Sequence, residues 1–213
     1  MENPSFSIMA STDDSSRDIP SLAILISGRG SNMVALAKAC ADGRLNAQIG
    51  LVISNRPDAV GIQLAGKLGL NTAIIDHTTF SNRAAFDQAV HEKLAALNPQ
   101  WIVLAGFMRI FTPEFVNQWP GRILNIHPSL LPSHPGLDTH RRAIDAGDSE
   151  AGASVHVVTP ELDAGPVITQ VRVPILRKDT PESLAKRVLS EEHELYIKAL
   201  QICLNAEDSI PQV

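Results

Sequence analysis

Little in this chain suggests covalent or metallic support. Among 213 residues there are two cysteines, Cys40 and Cys203, far apart and outside any metal-ligand spacing. That excludes a disulfide framework and points to buried free thiols in a reducing compartment. No run of about 18 apolar residues occurs, so no membrane span is expected. Positive charge is scarce. Eighteen Lys and Arg against 23 Asp and Glu leave a formal net charge of −5, and no basic stripe or tail offers a footprint for nucleic acid. Any anionic ligand must be held by a local site. The seven histidines (His77, His91, His127, His134, His140, His156 and His193) form no i, i+4 pair with a Glu, and no Cys accompanies them. No metal is expected on that pattern. Repeats, low-complexity tracts and interdomain linkers are lacking too. Residues 1–20 have neither the apolar core of a secretion signal nor the Arg-rich, acid-poor balance of a transit peptide. They read as a flexible leader of a cytoplasmic protein, with the fold beginning near Ser21 and a frayed tail over 206–213.

What is there suits one α/β domain over 21–205, with 44% hydrophobic residues. Short apolar runs alternate with amphipathic stretches. Strands are expected at Leu22–Ile26, Ile49–Ser54, Asn71–Ile75 and Trp101–Ala105. Helices are expected at Asn32–Ala41, Val60–Leu68, Arg83–Leu97 and Pro113–Trp119. That alternation implies right-handed βαβ units and a mainly parallel sheet buried on both faces. After Gly121 the texture changes. A strand at Ile123–Ile126 runs into the proline-punctuated loop His127–Gly136, and Arg141–Ala146 suits a helix. Ser154–Thr159 and Val167–Val173 alternate as half-buried antiparallel strands do. Thr180 is a natural N-cap, with Pro181 at the first position of a long closing helix. The expected fold is therefore Rossmann-like, three-layered α/β, mainly parallel, with antiparallel strands in the C-terminal part.

Three motifs could carry chemistry. Ser27-Gly28-Arg29-Gly30-Ser31-Asn32 follows the first strand and opens a helix, where free N–H groups and the dipole favour an anion. It lacks the full dinucleotide fingerprint and the P-loop Lys, so a tight βα turn that binds nothing fits it as well. Asn125-Ile126-His127 places an amide and an imidazole on one side of an extended strand, at the carboxyl end where open α/β sheets react. Both can donate to a developing oxyanion, and His can exchange a proton near neutrality. A pair of satisfied polar residues is the plainer alternative. Glu161-Leu162-Asp163-Ala164-Gly165-Pro166 is a turn-forming string. Its Asp serves either the backbone or, if the fold closes the 36-residue gap to His127, the orientation and charge of that ring.

Taken together, the strings ISGRGSN (26–32), VLAGFMRI (103–110), LNIHPSLLPSHPG (124–136), SVHVV (154–158), ELDAGPVI (161–168) and EEHELY (191–196) resemble the phosphoribosylglycinamide formyltransferases, folate-dependent enzymes of purine synthesis. They come in family order from Ser21 to about Leu200. The resemblance implies a catalytic trio of Asn125, His127 and Asp163. It implies binding of glycinamide ribonucleotide by Gly30, Ser31 and Asn32, with Glu192 at the sugar and amine end. It also implies binding of 10-formyltetrahydrofolate, as co-substrate, by Arg83, by Met108, Arg109, Ile110 and Phe111, by Asn125, and by Thr159, Pro160, Glu161, Leu162 and Asp163. The phosphate-binding half would run over about 21–120 and the folate and catalytic half over about 121–205. Two positions depart from the pattern: Asp138, and Leu189, where relatives often carry a polar side chain near the phosphate. Small-molecule substrates, a monomer or homodimer, no nucleic acid and no membrane are expected.

The alternatives are other folate enzymes on one scaffold, and a binding module. A formyltetrahydrofolate hydrolase would use water as acceptor and leave the phosphate loop without purpose. A formyltransferase acting on transfer RNA would need more positive charge and a further nucleic-acid-binding domain. A non-catalytic nucleotide-binding module explains the glycine loop but not Asn125 and His127.

Overall fold

The computed structural model describes residues 19–206. The expected leader, except its last two residues, and the expected frayed tail, except Ala206, lie outside the described residues. The elements in chain order are β1 (Ser21–Ile26), α1 (Ser31–Ala41), β2 (Gln48–Ser54), α2 (Val60–Lys67), β3 (Thr72–Ile74), α3 (Arg83–Leu97), β4 (Trp101–Leu104), α4 (Pro113–Gln118), β5 (Ile123–His127), α5 (Thr139–Asp145), β6 (Glu150–Val157), β7 (Val167–Pro174) and α6 (Pro181–Asn205). A short 3-10 turn at His77–Thr79, not expected from the sequence, follows β3. One seven-stranded sheet has the order β3-β2-β1-β4-β5-β6-β7. β1 to β5 pair in parallel, while β6 is antiparallel to both β5 and β7.

Apolar runs build the inner strands because both sheet faces are covered. Alternation divides β5 between two cores. Leu124 and Ile126 join the cluster of α1 and α6, whereas Ile123 joins the cluster of α3 and α4. Asn125 and His127 share the Ile123 parity, so both project from that second face. Thr180 caps α6 by accepting the Ser183 N–H, and Ser183 returns the bond in a capping box. The Tyr196 hydroxyl, fully buried, lies 3.1 and 3.0 Å from the Leu104 and Leu124 carbonyls. That contact docks α6 beside the ends of β4 and β5 and sets Glu192 one turn earlier.

One expectation is corrected. β6 begins at Glu150, and from Ala151 to Val157 every residue is buried. It is not half-buried, because it lies inside the sheet with helices on one face and loops folded over the other. Neither Cys40 nor Cys203 is bonded; Cys203 is buried and Cys40 half-buried. Burial pushes both thiols up to about 11, Asp42 adding to the effect at Cys40. Among the described residues no helix is long and apolar enough to cross a membrane.

Candidate active site

The chain reverses direction across the sheet between β1 and β4. Ligands of open α/β sheets sit at such a switch point, outside the carboxyl ends of the strands. Ser27 to Asn32 leaves β1 there and Gly106 to Thr112 leaves β4 there. Gly30 is the N-cap of α1, with φ 73°, a left-handed conformation that costs glycine little. A Cβ on Gly30 would also approach the Gly61 Cα to 2.9 Å, so the loop is packed hard against the start of α2. Ser31 and Asn32 open the helix. Asn32, buried, donates from Nδ2 to Glu192 Oε2 at 2.8 Å. Burial raises the Glu192 carboxyl above its ordinary range, against the pull of the Asn32 bond and of nearby His193 and His127. The residues implied for glycinamide ribonucleotide therefore form one contiguous patch.

The 108–111 segment has no regular structure. Met108 and Ile110 point outward, 74% and 53% exposed. Phe111 is buried between Phe107 and Phe115, at ring distances of 5.2 and 3.9 Å. Its ring is taken up in this stack, and its backbone makes no main-chain hydrogen bond among the described residues. The Arg109 guanidinium lies 5.4 Å above Phe86. Arg83 is the exposed first residue of α3.

The cluster of Asn125, His127 and Asp163 is built by antiparallel register. Asn125 stands opposite His156, and His127 opposite Ser154. The β6–β7 connection folds back over these side chains and delivers Asp163. One Asp163 oxygen lies 3.5 Å from His127 Nδ1 and the other 3.7 Å from His156 Nε2. Asp163 has φ 52°. Its Oδ2 accepts the Gly136 N–H at 2.8 Å, which ties this loop to the end of the proline loop. Gly165 lets the connection lie flat: a Cβ there would sit 1.9 Å from the Val157 carbonyl oxygen. The proline loop is held from behind. Ser154 Oγ donates to the Ser129 carbonyl and accepts the Leu131 N–H, while Gln170 donates to the Leu131 carbonyl.

Hydrogen bonds divide the two imidazoles by role. His127 Nε2 faces the His134 carbonyl at 3.0 Å. A carbonyl only accepts, so Nε2 carries a proton. That leaves Nδ1 as the nitrogen free to address both Asp163 and a ligand. His156 Nδ1 donates to the Val157 carbonyl at 3.0 Å, and its Nε2 accepts from Asn125 Nδ2 at 3.2 Å. Burial lowers the His156 pKa; Asp163 opposes this and His127 adds to it. A neutral His156 thus orients the Asn125 amide and leaves its second N–H unpaired among the described residues.

His156 was not among the residues expected from the sequence. Its signal was the SVHVV string, but only the pairing with β5 puts it beside Asn125. Among the described residues no group of three or more His, Cys, Asp or Glu is arranged to hold a metal ion.

A carboxylate beside an imidazole, with an amide on the same strand face, thus stands at the carboxyl end of a doubly wound sheet. The chain belongs to the formyl transferase family, which it matches over residues 21–200. It is 45% identical to the Escherichia coli phosphoribosylglycinamide formyltransferase over 175 residues, 82% of each protein. It is 42% identical over 181 residues to the human trifunctional purine biosynthetic protein adenosine-3, covering 85% of this chain but 18% of that one. The crystal structure of phosphoribosylglycinamide formyltransferase from Brucella melitensis superposes with a TM-score of 0.82 at 43% identity, covering 91% of this chain and 99% of that one.

Proposed function

We propose that the chain is a phosphoribosylglycinamide formyltransferase. It moves the formyl group of 10-formyltetrahydrofolate to the amine of glycinamide ribonucleotide, a step of purine biosynthesis. The reading is carried by one observation: Asp163, on a late loop, lies 3.5 Å from His127 in a cluster that includes Asn125. The likeness to named formyltransferases supports it.

The amine attacks the formyl carbon, and a tetrahedral intermediate with an oxyanion results. The free Asn125 N–H and a proton on His127 Nδ1 stabilise that oxygen. One such donor is worth roughly 3 kcal/mol, or about 10²–10³ in rate. Asp163 supports positive charge on His127 and helps carry a proton from the attacking amine to the folate nitrogen that leaves. The C–N bond to the folate then breaks, and tetrahydrofolate and formylglycinamide ribonucleotide are released. No covalent enzyme intermediate is needed, because the amine is the nucleophile. Alignment of the two substrates supplies much of the remaining acceleration. The phosphate is assigned to Gly30, Ser31 and Asn32, and the sugar and amine end to Glu192. The folate is assigned to Arg83, Met108–Phe111, Asn125 and Thr159–Asp163, with exposed Met108, Ile110 and Leu162 as apolar surface for its ring.

The test is to mix the protein with 10-formyltetrahydrofolate and glycinamide ribonucleotide and follow the folate product by absorbance. Acceptor-dependent turnover is expected. Consumption of the donor without acceptor would mark a hydrolase, and binding without turnover a binding module. Either result overturns the proposal.

A further inference from the structure

Residues 108–112 must keep one shape if their backbone is to meet a flat ring. Among the described residues, Arg109, Ile110 and Phe111 make no main-chain hydrogen bond, so nothing in the secondary structure sets that shape. Side chains from two other elements do. Ser27 Oγ accepts the Met108 N–H at 2.7 Å and donates to Asn55 Oδ1 at 2.6 Å. At the other end, Asp87 Oδ2 on α3 accepts the Thr112 N–H at 2.7 Å. Ser27, Asn55 and Asp87 are buried at 6%, 2% and 3% exposure. The two bonds enclose the segment whose side chains alternate outward at Met108 and Ile110. Burial raises the Asp87 carboxyl, against the Thr112 bond and the charges of Arg83 and Arg109, and its second oxygen and the Arg109 Nε are buried without a partner. A buried carboxylate with one unpaired oxygen is costly, and the partner that offsets the cost is the Thr112 N–H.

We propose that Ser27 and Asp87 are positioning residues for the formyl donor, pinning the entry and exit of the Met108–Thr112 segment so that its free backbone edge is held ready for the folate ring. Ser27 is also the first residue of the phosphate loop. One hydroxyl thus joins the walls of the two substrate sites. The inference rests on the assignment of this segment to folate.

The experiment compares Ser27→Ala, Asp87→Ala and Asp87→Asn with the wild-type protein. Leaving a buried N–H unpaired weakens what depends on it. The KM for 10-formyltetrahydrofolate is therefore expected to rise about tenfold in Ser27→Ala and Asp87→Ala, and in Asp87→Ala, which lies outside the phosphate loop, kcat and the KM for glycinamide ribonucleotide are expected to stay within about twofold. Asp87→Asn keeps an acceptor for the Thr112 N–H and should rescue most of the loss. Amide hydrogen exchange at Met108 and Thr112, the two pinned amides, is a second readout, independent of turnover. It should quicken in both alanine variants while the β1 and β4 amides stay protected. An unchanged folate KM with unchanged exchange refutes the inference, as does a glycinamide ribonucleotide KM that rises as much as the folate KM in Asp87→Ala. Equal damage in Asp87→Asn and Asp87→Ala refutes the hydrogen-bond pin. If the wild-type protein transfers no formyl group, the assigned function fails, and the exchange arm still decides whether the pins exist.

Discussion

Replacing Asp163 by Asn isolates the charge at the centre of the proposed chemistry. The amide has the shape of the carboxylate and can still accept the Gly136 N–H, which Asp163 binds at 2.8 Å. What disappears is a negative charge 3.5 Å from His127 Nδ1, between side chains each only 7% exposed. A full charge pair at that separation interacts with about 5 kcal/mol at an effective dielectric constant of about 20. If about half of this is gained only as positive charge builds on the ring, the barrier rises by about 2–3 kcal/mol, which lowers kcat roughly 30- to 150-fold. Folate affinity, which depends on surfaces the substitution leaves in place, should change less than about threefold. Steady-state formyl transfer gives kcat, and calorimetric titration with a non-reactive folate analogue gives the affinity. A kcat within threefold of wild type would remove Asp163 from the mechanism. A large loss of affinity with normal kcat would leave Asp163 with a folate-binding role alone.

Three further outcomes are expected. Gly165→Ala puts a methyl group 1.9 Å from the Val157 carbonyl oxygen, so the loop must shift; melting should register about 1–3 kcal/mol of destabilisation and kcat should fall, whereas wild-type values for both would show that the loop has slack. His156 is held below its usual 6.5 by burial, so the unfolded chain binds that proton more readily. Its contribution is present above about pH 6.5 and is lost as pH falls; melting temperatures from pH 7.5 to 5.5 should decline less steeply in His156→Asn, with half-buried His140, shifted the same way, left to titrate. Asn32→Ala removes the 2.8 Å bond to the buried Glu192 carboxylate and should raise the KM for glycinamide ribonucleotide about tenfold with little change for folate; the reverse pattern would overturn the phosphate assignment.

Much of this was legible from local pattern. Helix α3 runs over Arg83–Leu97 as its apolar spacing implies, and α6 starts behind Thr180 and Pro181 as capping chemistry requires. Both are decided within a turn or two of chain. The full burial of β6 is not legible locally, for the opposite reason. Alternation in SVHVVT reports the chemistry of two faces, but whether the polar face meets water depends on what folds over it. His156 went unassigned because its partner Asn125 is reached only through the register of two antiparallel strands. Asp87 gave no signal at all, since its acceptor role appears only where the exit of the 108–112 segment lies against α3.

By itself, the order of apolar and polar residues determined the fold class, the alternation of elements and which residue types could do chemistry. Those follow from backbone periodicity and capping, which act over a few residues. Tertiary structure alone decided which of the candidates meet. Sheet register, the fold-back of the β6–β7 loop and the docking of α6 are long-range choices, fixed by how two buried faces are covered. On them depend the 3.5 Å between Asp163 and His127 and the bond from Asn32 to Glu192.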